Sequence, residues 1–264
     1  MTGIETVTSA ANPLLKDIRR VSARGGLTAD GFWIAEGFHL LEEAWRSQCA
    51  IPIVLVSESS RPRLEQRAAR TIVLPDKLFQ SIATTETSQG VMALVRPPSW
   101  RMEQLFEGSS LVVVLDGIQD PGNAGAILRA AEAFGATGAV FVKGTVSPWH
   151  PKTLRASAGS LFRVPFVAAV DALETGAALV ARGVEIYAAM PFTGSERMAG
   201  DVDFTRPCAI AIGSEGRGVG DELRSIARPV AIPTLGVESL NAAMAASILL
   251  YEMRRQRVRE AVRA

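Results

Sequence analysis

LVVVLDGIQDPGNAGAILRAAEAFGATGAVFV, residues Leu111–Val142, is the stretch whose reading decides the fold. Its opening run, Leu111–Leu115, is apolar at every position, which marks a strand buried on both faces. A loop rich in Gly, Asp and Pro follows, then a helix over about Ala124–Phe134 and a second apolar strand, Ala139–Val142. Strand, helix and strand in so short a span form a βαβ unit, and that unit implies a parallel sheet. Further strands are expected at Val164–Ala168, Val184–Ala188, Cys208–Ile212 and Pro229–Ile232, with helices at Pro151–Ser157, Asp171–Ala181 and Asp221–Ala227. Residues 108–264 are therefore read as one α/β domain.

Upstream, strand-like and helix-like segments alternate at shorter spacing: FWIAEG, FHLLEEAWRS, IPIVLVS, RPRLEQRAAR, TIVLP, DKLFQSIA and GVMALV. They predict a small α/β sandwich, assigned to residues 1–96, with RPRLEQRAAR as one of its helices. Arg96-Pro97-Pro98-Ser99-Trp100 then forbids helix and stiffens the chain, so residues 97–107 are expected to be a linker. Two local basic clusters lie on the first domain: Lys16, Arg19, Arg20 and Arg24, then Arg61, Arg63, Arg67 and Arg70. Each reads as a solvated face or as a contact for a polyanion.

Composition removes several classes of function. With 48% apolar and 21% charged residues the chain is globular, and a net charge of +1 creates no global field for nucleic acid, so any such contact must be local. The longest smooth apolar stretch, Ala242–Tyr251, is too short to span a bilayer, and MTGIETVTSAANPLL lacks the marks of a signal peptide. Cys49 and Cys208 form no C-x-x-C pair, which favours reduced thiols and a cytoplasmic location. His39 and His150 are the only histidines; no metal site is expected, and no G-x-S-x-G elbow accompanies them for a serine hydrolase.

Chemistry-bearing residues cluster in three loops. In DGIQDPGNAGAILR, Asn123 can cap the following helix, and Arg129 stands among apolar helix positions; the plain alternative is a turn and a surface arginine. AIAIGSEGRGVGDEL runs from a buried strand into a loop whose glycines allow close approach of a ligand, with Glu215 inside it. Neither G-x-G-x-x-G nor G-K-[ST] is present, which speaks against nucleotide phosphates and against a nicotinamide-dependent oxidoreductase. In IPTLGVESLNAAMAASILLYEM, Ile232–Met253, a helix is expected from near Ser239, capped by that serine. Leu240, Met244, Ile248 and Tyr251 fall at near-helical spacing and predict one buried face. A weaker fourth segment, LRASAGSLFRVP, offers a small-residue turn at Ser157–Gly159.

N-x-G-x-x-x-R at Asn123–Arg129, G-S-E-G at Gly213–Gly216 and I-P…E-S-L-N at Ile232–Asn241, in that order, resemble the SpoU branch of the SPOUT superfamily, the RNA ribose 2′-O-methyltransferases. The run Arg155–Pro165 resembles the same family, and residues 12–95 resemble its ribosomal-protein-like substrate-binding domain. The resemblance implies a C-terminal α/β domain tied in a trefoil knot, S-adenosyl-L-methionine as cofactor, and a homodimer formed through the C-terminal domain. It implies a cleft of Asn123, Arg129, Glu215, Ser239 and Asn241, and cofactor contacts from Gly213, Ile232 and Leu240, with Thr234, where many members carry methionine, a further candidate. Arg129 is expected to grip a phosphate and steady the developing alkoxide, and Glu215 to fix Asn123 or Arg129 rather than act as a base. The implied partner is structured RNA, ribosomal RNA before transfer RNA, with a non-catalytic RNA-binding protein on the same scaffold as the competing reading.

Overall fold

The computed structural model describes residues 3–65, 70–194 and 196–263. The first elements are β1 (Gly3–Thr6), α1 (Pro13–Arg24), β2 (Trp33–Glu36), α2 (Phe38–Arg46), β3 (Ile53–Ser57), β4 (Arg70–Leu74), α3 (Asp76–Gln80) and β5 (Val91–Val95). There follow β6 (Leu111–Asp116), α4 (Pro121–Ala133), β7 (Gly138–Val142), α5 (Pro151–Ala156), β8 (Phe166–Val170), α6 (Ala172–Val180) and β9 (Glu185–Met190). The chain finishes with β10 (Arg197–Met198), β11 (Cys208–Gly213), α7 (Asp221–Arg224), β12 (Arg228–Ala231) and α8 (Ala242–Arg263). The α/β class read from the sequence holds in both halves. Contacts divide the chain into two units: residues 1–99 with 147–163, and residues 100–146 with 164–264.

The first unit carries a five-stranded sheet in the order β1-β4-β3-β5-β2, with β1, β4 and β3 parallel and β5 antiparallel to both its neighbours. Leu15, Ile18 and Val21 of α1, at helical spacing, pack on one face with Leu55, Ile72 and Leu94. The segment Ser147–Arg163, which chain order puts inside the second half, packs in this unit. Phe162 meets Trp33 edge to face at 5.7 Å, and Arg163 donates to Glu43 Oε2 at 2.7 Å and to Ser47 Oγ at 3.1 Å. Arg155 donates to Thr84 Oγ1 at 2.9 Å. At Gly159, φ is +90° and a Cβ would sit 2.7 Å from Glu43 Cβ, so the small-residue turn is what lets this segment close on α2.

One expectation fails in this unit. RPRLEQRAAR is not one helix: a single 3-10 turn spans Arg61–Arg63, and Leu64 turns extended at ψ 121° as its side chain is buried. Residue Arg67 of the second basic cluster lies outside the described residues, and Arg70 opens β4. The edge strand β1 escaped notice because GIET has no apolar alternation to mark it.

The second unit is a seven-stranded sheet in the order β10-β12-β9-β11-β6-β7-β8, parallel throughout. Its centre is β6 and β11, whose residues Leu111–Leu115 and Cys208–Ile212 are all buried, as runs without alternation require. The strand expected at Val164–Ala168 begins two residues later, at Phe166, and Ala169 takes φ +58° where the pairing with β7 shifts register. Burial raises the Cys49 and Cys208 thiols above their ordinary value, so both stay protonated at neutral pH.

Helix α8 differs most from expectation. It begins at Ala242, not near Ser239, and the face it buries is Ala242, Ala243, Ala246, Leu249, Leu250 and Met253, packed along α4. Met244, Ile248 and Tyr251, expected to be buried, are 57%, 41% and 55% exposed. Alanines are short enough to let the two helix backbones approach at the first turns, and with Leu249, Leu250 and Met253 they form the inner face, which leaves Met244, Ile248 and Tyr251 on the outer one. Far down the helix, Arg257 donates to the carbonyls of Ser109, Ser110, Phe204 and Arg206 at 2.7–2.9 Å. No helix among the described residues is long and apolar enough to cross a membrane.

Replacing Arg257 by alanine removes one donor from each of these carbonyls, of which Ser110 O still accepts from Cys208 N, and is expected to lower stability by about 2–3 kcal/mol. Urea unfolding measures it, and Arg257→Lys should recover little, because one ammonium cannot reach all of them.

Candidate active site

The site is assembled at the carboxyl ends of adjacent parallel strands, where open α/β sheets hold their ligands. After β6, Asp120 caps α4: its side chain accepts from Asn123 N at 2.8 Å, with Pro121 in the first turn. Asn123 was expected to be the cap. Because Asp120 fills that role, the Asn123 carboxamide is free to turn outward.

After β11 the chain folds back on itself. Gly218 N donates to Ser214 O at 2.8 Å, and Gly218 takes φ +68°. A Cβ on Gly213 would lie 1.9 Å from the Gly218 carbonyl carbon, so no side chain fits there. Asp116, at the end of the neighbouring β6, accepts from Gly220 N at 2.7 Å and holds the far end of the loop. Glu215 projects from this fold.

After β12, Ile232–Asn241 leads into α8. Thr234 Oγ1 donates to Val237 O at 3.0 Å across a turn at Gly236, whose φ is +76°. Asn241, rather than Ser239, caps the helix: its Oδ1 accepts from Ala243 N at 3.0 Å and Met244 N at 3.3 Å. That bond aims the other end of the amide. Asn241 Nδ2 donates to Glu215 Oε1 at 2.7 Å and to Asn123 Oδ1 at 3.1 Å, and Asn123 Nδ2 donates to Glu215 Oε1 at 3.2 Å. Residues 118 positions apart in the chain are thus joined by one closed network whose donors and acceptors leave a single consistent orientation for both amides.

The other expected residues divide into two groups. Gly213, Ile232, Thr234 and Leu240, with Glu215 and Ser239, line a cavity of about 620 Å³, within the range of small-molecule sites. Arg129 lies exposed on α4 and, among the described residues, makes no hydrogen bond or ion pair. The sequence reading missed one wall of the cavity, Ala189–Thr193 at the end of β9. Thr193 is held there by Glu196, which accepts from its amide and its hydroxyl, each at 2.7 Å. The signal was available: a Pro-Phe-Thr-Gly turn directly after a buried strand that neighbours β11.

Residues 110–251 match the SpoU rRNA Methylase family, and residues 12–93 match the MRM3-like substrate binding domain. The chain belongs to the SpoU rRNA methylase family. It is 30% identical over 259 residues to the 23S rRNA (guanosine(2553)-2′-O)-methyltransferase RlmP of Bacillus subtilis, an alignment spanning 95% of this chain and 100% of that one. Among solved structures it resembles the AdoMet-bound rRNA methyltransferase of Sinorhizobium meliloti, with TM-score 0.82 and 28% identity over 96% of this chain and 98% of that one. The SpoU methyltransferase AviRb of Streptomyces viridochromogenes, in complex with AdoMet, aligns with TM-score 0.80 and 26% identity over 94% of this chain and all of the other (100%).

Asn241→Ala should lower stability by about 1 kcal/mol through loss of the cap, and it removes two of the three bonds of the network, leaving only that between Asn123 and Glu215. Asn241→Asp keeps the cap acceptor but sets a carboxylate against Glu215 in place of a donor. Thermal melts should therefore rank wild type above Asn241→Asp at neutral pH.

Proposed function

We propose that this chain transfers a methyl group from S-adenosyl-L-methionine to a ribose 2′-hydroxyl of ribosomal RNA. The observation that carries the reading is the network of Asn123, Glu215 and Asn241, whose Glu215 also lines a ligand-sized cavity. The likeness to RlmP over the full length of both chains supports ribosomal RNA as the substrate class. Transfer RNA is less favoured: the tRNA modifying enzyme TrmH/SpoU of A. aeolicus aligns with 58% of this chain, at TM-score 0.51.

The cavity's chemistry suits the cofactor. Its glycine-rich wall at Gly213–Gly218 offers backbone groups at close range, and Ile232, Leu240 and Leu249 add apolar surface. When bound, S-adenosyl-L-methionine supplies a methyl carbon activated by the sulfonium beside it. In this reading Gly213, Ile232, Thr234 and Leu240 hold it, and the chain must then aim a weak nucleophile in line with that carbon.

Arg129 carries a guanidinium, a group with five donors and no acceptor. It grips the phosphate next to the reacting nucleotide and stabilises the ribose oxygen as negative charge develops there, while the proton leaves through phosphate or water. Asn123 and Asn241 orient the ribose. Glu215, occupied by both amides, fixes them. Ser239, exposed at the rim of the cavity, is free to bond the ribose.

The trefoil knot belongs to the same proposal, since a threaded chain accounts for how the segments after β11 and β12 come to share one cavity. Residues 1–96 grip the RNA, 97–107 connect, and 108–264, apart from the segment Ser147–Arg163 that packs in the first unit, carry the chemistry, in the cytoplasm, where ribosomal RNA is found. The chain works as a homodimer through its C-terminal unit. Met244, Ile248 and Tyr251 form an exposed apolar stripe on α8 that a second copy would bury.

Arg129→Ala is expected to lower methyl transfer at least about 100-fold while calorimetry finds cofactor affinity unchanged; an active variant would refute the assignment. Ile248→Glu should halve the mass measured by light scattering. A wild-type chain that is already monomeric would remove the dimer from the proposal.

A further inference from the structure

Among the residues that line the cavity of the second unit, Glu215, Arg217 and Glu238 carry acidic or basic side chains. Glu215 is taken up by Asn123 and Asn241. The other two are uncommitted: among the described residues, neither the Arg217 guanidinium nor the Glu238 carboxylate makes a hydrogen bond or an ion pair. Both side chains are exposed to solvent. Arg217 lies in the turn after β11, where its backbone amide donates to Ser214 Oγ at 3.3 Å. Glu238 lies in the loop after β12, just ahead of the cap Asn241.

In the sheet, β9 runs between β11 and β12. Neighbouring strands stand about 4.8 Å apart, so the loops leaving β11 and β12 rise about 10 Å from one another, with the end of β9 between them. One of these walls therefore presents a group that only donates, and the other a group that only accepts. A ligand that satisfies both carries a carboxylate and an ammonium close together, as the α-carbon of an amino acid does. A phosphate of RNA could take the guanidinium but has no donor for Glu238. A sulfonium has no N–H or O–H to give and leaves Arg217 unanswered. We propose that Arg217 and Glu238 hold the α-amino-acid end of S-adenosyl-L-methionine, the guanidinium on its carboxylate and the Glu238 carboxylate on its ammonium. The inference rests on the reading of this cavity as the cofactor site.

The test is calorimetry on the full-length chain with three ligands. S-adenosyl-L-methionine is the first; S-adenosylhomocysteine keeps the amino-acid end on an uncharged sulfur; 5′-methylthioadenosine lacks that end. Wild type should bind the first two at least about tenfold tighter than the third. Glu238→Gln and Arg217→Gln should each weaken the first two about tenfold and leave the third unchanged, which also shows that the cavity is intact. Arg217→Lys should recover part of the loss, because an ammonium still donates to a carboxylate. A Glu238→Gln loss confined to S-adenosyl-L-methionine would overturn the proposal, since the carboxylate would then answer the sulfonium alone. Unchanged affinity for all three ligands in Arg217→Gln would overturn it too, as a guanidinium reserved for RNA would give. A wild-type chain that binds none of the ligands refutes the cofactor site and this pair with it. Normal wild-type binding with indifferent variants refutes the pair alone.

Discussion

The second unit depends on how one carboxamide is oriented. Asn241 cannot turn its amide over without losing the cap of α8 at one end and its bonds to Asn123 and Glu215 at the other. The helix thereby sets the orientation, and the orientation sets which atoms of the other two side chains remain available. Behind it stand Asp120, which releases Asn123 from capping, and Asp116, which holds the Glu215 loop by the Gly220 amide. Each of these carboxylates accepts a backbone N–H that a loop or helix end would otherwise leave unpaired. The proposed chemistry is thus built on ordinary requirements of strand and helix ends, met in one place.

The same economy governs α8. Its alanines allow close packing on α4, its arginine at position 257 satisfies carbonyls of two separate loops, and Met244, Ile248 and Tyr251 are left outside. A helix fastened at both ends holds its first turn still. That rigidity matters for a reaction in which the chain contributes alignment more than acid or base strength.

Much of this was legible in the sequence. Leu111–Leu115 and Cys208–Ile212 had to be central strands, because only a strand covered on both faces can be apolar throughout. Gly213 was readable as a point of close approach. What single-sequence patterns could not resolve was competition among neighbouring residues of similar chemistry. Ser239 and Asn241 both favour a cap, as do Asp120 and Asn123, and only the path of the loop decides which reaches the free amides. Periodicity likewise finds an apolar stripe on α8 without saying whether it faces the core of one chain or the surface. The packing of Ser147–Arg163 in the first unit depends on contacts such as Arg163 with Glu43, which are distant in sequence and leave no local mark.

Incubating total ribosomal RNA with the purified chain and S-adenosylmethionine labelled at its methyl group, then digesting to nucleosides for mass spectrometry, addresses the account most directly. Label on a single 2′-O-methylribose of the large ribosomal RNA is the predicted result. Label on a base, on transfer RNA alone, or on no nucleoside would contradict it.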